Sequence, residues 1–142
     1  MSVSARNLLA GNVSAVKKGA INAEVVLALQ GGDQLIAVIT NESVENLGLK
    51  AGVEAFAMIK APLVILTKGA QGLKFSTRNV LEGKVQKITH GAVNAEVSIK
   101  LKGKTPLTSI ITEGSVKGMA LQEGDVVNAL FKASSVILAV RA

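Results

Sequence analysis

The amino-acid sequence predicts an all-β chain made of two tandem five-stranded barrels, each with a short helix. Three observations carry that expectation. A self-similarity divides the chain in two, short alternating runs of Val, Ile, Leu and Ala lie between glycine-marked turns, and one order of elements occurs twice.

The self-similarity is plain when Ser4-Ala5-Arg6-Asn7-Leu8-Leu9-Ala10-Gly11 is written above Ser76-Thr77-Arg78-Asn79-Val80-Leu81-Glu82-Gly83. The offset of 72 residues holds without a gap, so Gly19 to Val25 falls on Gly91 to Val97 and Val64-Ile65-Leu66 on Val136-Ile137-Leu138. About 27 of about 65 aligned positions are identical, far more than composition gives two unrelated segments. The first unit is 1–68, the second 76–142, and 69–75 a linker. Around that linker, Thr67 to Phe75 loses periodicity and carries two glycines. A linker this short holds the units against each other.

Within the first unit, Leu9 to Val16 alternates apolar with small or polar residues, and Lys17-Lys18-Gly19 turns the chain. Ile21 to Leu29 alternates again and sets Ala23, Val25, Leu27 and Leu29 on one face of a second strand. Gly31-Gly32-Asp33 supplies the positive φ of a hairpin turn, after which Leu35 to Ile39 makes a third strand. Ser43 to Leu47 reads as one helical turn capped by Ser43 or Asn41. Ala55 to Lys60 and, after Pro62, Leu63 to Leu66 complete the set. Three strands, a helix and two strands is the order of an OB-fold. A unit of about 65 residues buries too little surface to be stable alone, so contacts between units and a homo-oligomer are expected.

Composition narrows the function. With no cysteine and one histidine, His90, nucleophile–base pairs and thiolate metal sites are largely excluded. Lys18 stands at the position matching His90, which makes His90 a solvent-facing turn residue. Glu24 and Glu96 recur in strands and read as rim charges or structural hydrogen-bond acceptors. Gly103-Lys104-Thr105 lacks both the upstream glycine, where Ser98 stands, and the following helix of a phosphate-binding loop. No secretory signal and no apolar run of about 18 residues is present, so a cytoplasmic chain with no membrane contact is expected, and the Asn-x-Ser matches at Asn12 and Asn41 are chance. The net charge of +6 suits an anionic partner.

What recurs most sharply is a set of hydrogen-bond donors. Ser4, Arg6 and Asn7 return as Ser76, Arg78 and Asn79; Thr40 and Ser43 as Thr112 and Ser115; Lys60 as Lys132. Arginine offers a planar fork, lysine a point charge and serine a rotatable hydroxyl, and turn backbone can add a nest of N–H groups. A tetrahedral dianion that carries no proton only accepts, so such a cradle satisfies every oxygen. Monohydrogen phosphate sets its own proton against donors, and sulfate is disfavoured by its smaller size.

The combination Ser-Ala-Arg-Asn-x-Leu-x-Gly, Gly-x-x-Asn-Ala-Glu-Val, Ile-Thr-x-x-Ser and Ile-Lys-Ala resembles the Mop domain of molybdate- and tungstate-binding proteins, once over 4–68 and again over 76–140. The resemblance implies a non-catalytic cytoplasmic protein for binding, storage and homeostasis of molybdate or tungstate. It implies no organic cofactor and no metal other than as the oxyanion; related pairs form the effector domain of molybdate-responsive regulators, but no DNA-binding winged helix is expected ahead of this one. It also implies six domains assembled as a homotrimer of two-domain chains, with oxyanion sites between subunits. By motif, Ser4, Ala5, Arg6, Lys60 and Ala61 would meet Thr40 and Ser43 of a neighbour. Ser76, Thr77, Arg78, Lys132 and Ala133 would likewise meet Thr112 and Ser115. A second kind of site near the threefold axis would use Ala20 and Asn22, or Ala92 and Asn94. Thr77 replaces Ala5 in the second copy, and Pro62 stands where that copy has Ser134. The alternative is an OB-fold nucleic-acid binder, but Phe56, Phe75 and Phe131 are the only aromatics available to stack bases, and Phe56 and Phe131 do not align between units.

Overall fold

The computed structural model describes residues 3–69 and 72–142; Ala70 and Gln71 of the expected linker lie outside the described residues. The first half runs β1 (Arg6–Lys18), β2 (Asn22–Leu29), β3 (Gln34–Thr40), α1 (Asn41–Leu47), β4 (Glu54–Lys60), a 3-10 turn (Ala61–Leu63) and β5 (Ile65–Thr67). The second repeats it as β6 (Asn79–His90), β7 (Asn94–Leu101), β8 (Pro106–Thr112), α2 (Glu113–Gly118), β9 (Val126–Phe131), a 3-10 turn (Ala133–Ser135) and β10 (Ile137–Ala139).

The alternation in β2 does what its pattern requires. Ala23, Val25, Leu27 and Leu29 are buried, while the residues between them are only half-buried. Each such valine or leucine withdrawn from water contributes roughly 1.5–3 kcal/mol. A bulge interrupts β1 between Val13 and Ala15 and β6 between Val85 and Lys87, the same place in both copies. One extra residue on one strand bends it and increases its twist, which helps each sheet curl.

The two sheets are not confined to the two repeats. One has the order β10-β4-β1-β2-β3 and the other β5-β9-β6-β7-β8, so each half lends its last strand to its neighbour. Ile137, Leu138 and Ala139 pair with Met58, Ala57 and Phe56, and Ile65, Leu66 and Thr67 pair with Leu130, Ala129 and Asn128. A cation within two residues of each exchanged strand's end fastens it. Lys68 pairs with Asp125 at 3.0 Å, and Arg141 pairs with Glu54 at 2.9 Å while lying over the Phe56 ring. Buried residues of both halves form one continuous core, the physical remedy for two units each too small to bury enough surface alone.

Three local expectations are corrected. Helix α1 is capped by Thr40, whose side chain accepts from the Ser43 N–H, and not by Ser43 or Asn41. The fifth strand begins at Ile65, because Pro62, with its fixed φ and missing N–H, sits in the 3-10 turn that precedes it. His90 ends strand β6 rather than occupying a turn, and it is exposed, as expected. The hairpins at Gly31 and Gly103 touch across the halves: a methyl group at Gly31 would overlap the Gly103 carbonyl, and the Gly103 N–H donates to the Asp33 carboxylate at 2.8 Å. Gly103 to Thr105 lies in the β7–β8 hairpin and is followed by a strand.

Candidate functional site

Each repeated Ser-x-Arg-Asn segment opens a long strand beside the end of the fourth strand of its own half. Arg6 lies opposite Lys60 in the β1–β4 ladder, and the Ala61 N–H donates to the Ala5 carbonyl at 3.0 Å. Ser4, Ala5, Arg6, Lys60 and Ala61 are thereby gathered into one corner. Arg6 holds a φ of +75°, a left-handed conformation that costs a non-glycine residue roughly 1–2 kcal/mol. Strain of this kind persists only where surrounding structure imposes it.

The second corner takes the matching place in the other sheet, without the left-handed arginine. Asn79 lies opposite Phe131, and the Thr77 hydroxyl donates to the Phe131 carbonyl at 2.6 Å. Ser76, Thr77 and Lys132 line a cavity of about 300 Å³ with Pro62, Leu63 and Ile65, the turn and exchanged strand of the first half. Pro62 thus forms part of the wall of the second corner. Lys60 and Lys132 are exposed, and among the described residues neither has a salt-bridge partner, so each leaves a free cation at its corner.

Thr40 and Ser43 lie at the far end of the sheet from Arg6, where Thr40 pairs with Asn22. The Thr40 hydroxyl is 2.9 Å from that of Ser43 and accepts from the Ser43 N–H at 3.1 Å; Thr112 and Ser115 repeat this at 2.9 and 3.0 Å. Thr112 and Ser115 line a separate depression of about 320 Å³ that shares Pro62 and Ile65 with the cavity at Ser76. Within one chain these hydroxyls and the Ser76 corner are therefore neighbours but do not close a single pocket. Ala20, Asn22, Ala92 and Asn94 are exposed around the β1–β2 and β6–β7 turns, beside Ile21 and Val93, which are also exposed.

Two partnerships were not expected from the residues alone. Arg78 grips Glu24 with both terminal nitrogens, at 2.5 and 3.0 Å, and Arg6 reaches Glu96 at 2.6 Å. The recurring glutamates are thus the acceptors of the recurring arginines, exchanged between halves. Asn7 and Asn79 are buried and act as fasteners: Asn7 bonds both backbone groups of Thr108, and Asn79 both of Ile36. Joint recurrence of Arg, Asn and Glu at fixed positions was the available signal for both. The Glu113 carboxyl is held below its ordinary value by His90 Nδ1, 2.9 Å away, with further help from the Gly91 N–H.

Among the described residues no group of three His, Cys, Asp or Glu side chains is placed to hold a bare metal ion, and no helix is long and apolar enough to cross a membrane. The crystal structure of the cytoplasmic molybdate-binding protein ModG with molybdate bound superposes with a TM-score of 0.95, is 49% identical, and is covered completely by 99% of this chain. The molybdenum-pterin-binding protein MopA of Rhodobacter capsulatus is 45% identical over 98% of the chain, and the molybdenum transport protein ModE of Azotobacter vinelandii 42% over 99%. The chain spans about half, 52%, of the length of each of those two relatives. Molybdenum-pterin-binding protein 3 of Clostridium pasteurianum is 52% identical to 46% of the chain, which covers 97% of that relative. The TOBE domain model matches twice, at residues 3–66 and 76–138. The chain belongs to the TOBE domain family, as a tandem pair of its Mop-type domains.

Proposed function

We propose that this protein binds molybdate, and tungstate by the same chemistry, as a non-catalytic cytoplasmic store that keeps the free oxyanion level steady. The observation that carries this reading is whole-chain agreement, at 49% identity, with a molybdate-binding protein crystallised with molybdate bound. The geometry supports it: two corners are rich in donors, and among the described residues the lysine of each has no salt-bridge partner.

In this reading the oxyanion rests against Ser4, Ala5, Arg6, Lys60 and Ala61 in one corner and Ser76, Thr77, Arg78, Lys132 and Ala133 in the other. Because Glu24 and Glu96 occupy the guanidinium groups, the arginines brace the corners and the lysines supply the free positive charge. Thr40 with Ser43, and Thr112 with Ser115, complete the cradles from a neighbouring chain, since those hydroxyls do not close the corners of their own. A homotrimer supplies such neighbours. It would also cover the exposed Ile21 and Val93 beside Ala20, Asn22, Ala92 and Asn94, where a second kind of site forms near the threefold axis.

Calorimetric titration of the full chain with molybdate, tungstate, sulfate and phosphate tests the reading. Saturable uptake of the first two, with sulfate and phosphate far weaker, is the expected result. No molybdate uptake, or equal uptake of all four anions, overturns it.

A further inference from the structure

The second half carries an open cleft of about 450 Å³ whose lining includes Glu82, Lys84, Gln86, Lys100, Lys102 and Lys104. It shares no residue with either oxyanion corner. The positions matching its four lysines in the first half are Asn12, Ala28, Gln30 and Gly32, so the charge was not inherited with the fold.

Three features of this cleft work against folding and concentrate positive charge in one place. Lys84 and Lys100 lie directly opposite each other in the β6–β7 ladder, where like charges weaken a sheet; Asn12 and Ala28 face each other in the first half. Lys104 holds a φ of +78°, the left-handed conformation that Gly32 adopts without penalty in the matching turn. Among the described residues only Lys102 finds an acid, Glu82 at 3.7 Å, which leaves Lys84, Lys100 and Lys104 unpaired. A residue held in a strained conformation where glycine would serve points to a use for its side chain.

We propose that this cleft binds a small polyphosphate, two or three linked phosphate groups, either free or as the tail of a nucleotide. Lysines act as mobile point charges toward phosphate oxygens, and the volume suits a small ligand. The lining holds no aromatic residue, so nothing is present to stack a base, and recognition stops at the phosphates.

The test is calorimetric titration of the full chain with tripolyphosphate, with ATP and with a single-stranded oligonucleotide. It is run beside the variant K84N/K100A/K102Q/K104G, which installs the first half's own residues in a turn and ladder the chain already folds. Saturable tripolyphosphate binding, weakened on the order of tenfold or more in the variant, is expected. Molybdate neither displaces it nor binds differently to the variant. ATP bound as well as tripolyphosphate identifies the phosphate tail as sufficient, and tripolyphosphate alone identifies a free polyphosphate; both support the proposal. Equal binding by the variant, no saturable binding, binding of ATP but not tripolyphosphate, or binding of the oligonucleotide alone overturns it. Molybdate uptake is read separately, so failure of one reading does not imply failure of the other.

Discussion

The side-chain amide of Asn79 donates to the Ile36 carbonyl at 2.7 Å and accepts from the Ile36 N–H at 2.8 Å. One side chain of the second half thereby satisfies both backbone groups of a residue on β3, an edge strand of the other sheet. Asn7 does the same for Thr108 on β8. The pair of asparagines substitutes for strand neighbours that β3 and β8 otherwise lack, which also blunts two edges open to unwanted pairing.

Asn79→Ala removes those partners and leaves Ile36 unsatisfied in a half-buried place. The expected loss is about 1–3 kcal/mol, read as a lower midpoint in urea denaturation. Asn79→Asp keeps an acceptor but sets a buried carboxylate against the Ile36 carbonyl, and is expected to lose at least as much. A midpoint for Asn79→Ala equal to wild type counts against the fastening role.

The Arg78–Glu24 pair is solvated, with side chains 53% and 29% exposed, so its worth to stability is small, about 0.2–1 kcal/mol. Its effect on the corner is expected to be of similar size but readable as affinity. Glu24→Gln removes a negative charge beside the second cradle and should tighten molybdate on the order of two- to fivefold at low salt, less at high salt. Titration at two ionic strengths checks this, and weaker binding in the variant contradicts it.

Lys132 is exposed and outside the core, so Lys132→Ala should leave the denaturation midpoint within about 0.5 kcal/mol of wild type. Loss of a charge-assisted hydrogen bond, roughly 1.5–3 kcal/mol, should cut molybdate affinity about 10- to 100-fold at that site. An unchanged isotherm would remove Lys132 from the cradle.

Glu113 gives the chain a defined response to acid. Its carboxyl ionises below the ordinary 4.5, mainly through His90 and then the Gly91 N–H. A depressed folded-state value means that the group stabilises the fold above about pH 4.5, and that this contribution fades as pH drops through the folded value. Glu113→Gln should therefore flatten the fall in stability as pH drops below about 4.5. Urea midpoints across that range provide the measurement, and a profile as steep as wild type contradicts the assignment.

Molybdate should raise the melting temperature if it is held between chains, because ligand bound only by the assembled state draws the equilibrium toward it. At about 100 times the dissociation constant the stabilisation is about 2.7 kcal/mol. Differential scanning with and without molybdate measures it, and no upward shift counts heavily against the proposed function.

The fold was legible because its signal is local. Val25, Leu27 and Leu29 alternate with half-buried residues, and glycines punctuate the turns, so each strand announces itself within a few residues. Strand exchange was not legible, since Ile65-Leu66 and Ile137-Leu138 read alike whichever sheet receives them. At the corners, recurrence of Ser, Arg and Lys marked the right segments. It could not show that Glu24 and Glu96 turn the guanidinium groups aside, because partners about 54 and 90 residues apart leave no trace in spacing. Thr40 was singled out for binding, but its place beside Asn41 was also the signature of a helix cap.

The exchanged strands make the chain a covalently closed pair. If residues 1–68 were expressed alone, the first sheet would lack an outer strand and β5 would have no sheet to join, so two fragments would be driven to trade ends. Joining the copies in one polypeptide makes that union independent of concentration. It also relieves the copies of the need to stay alike, so one can keep Gly32 while the other carries Lys104, and a symmetric ancestor acquires two unlike faces.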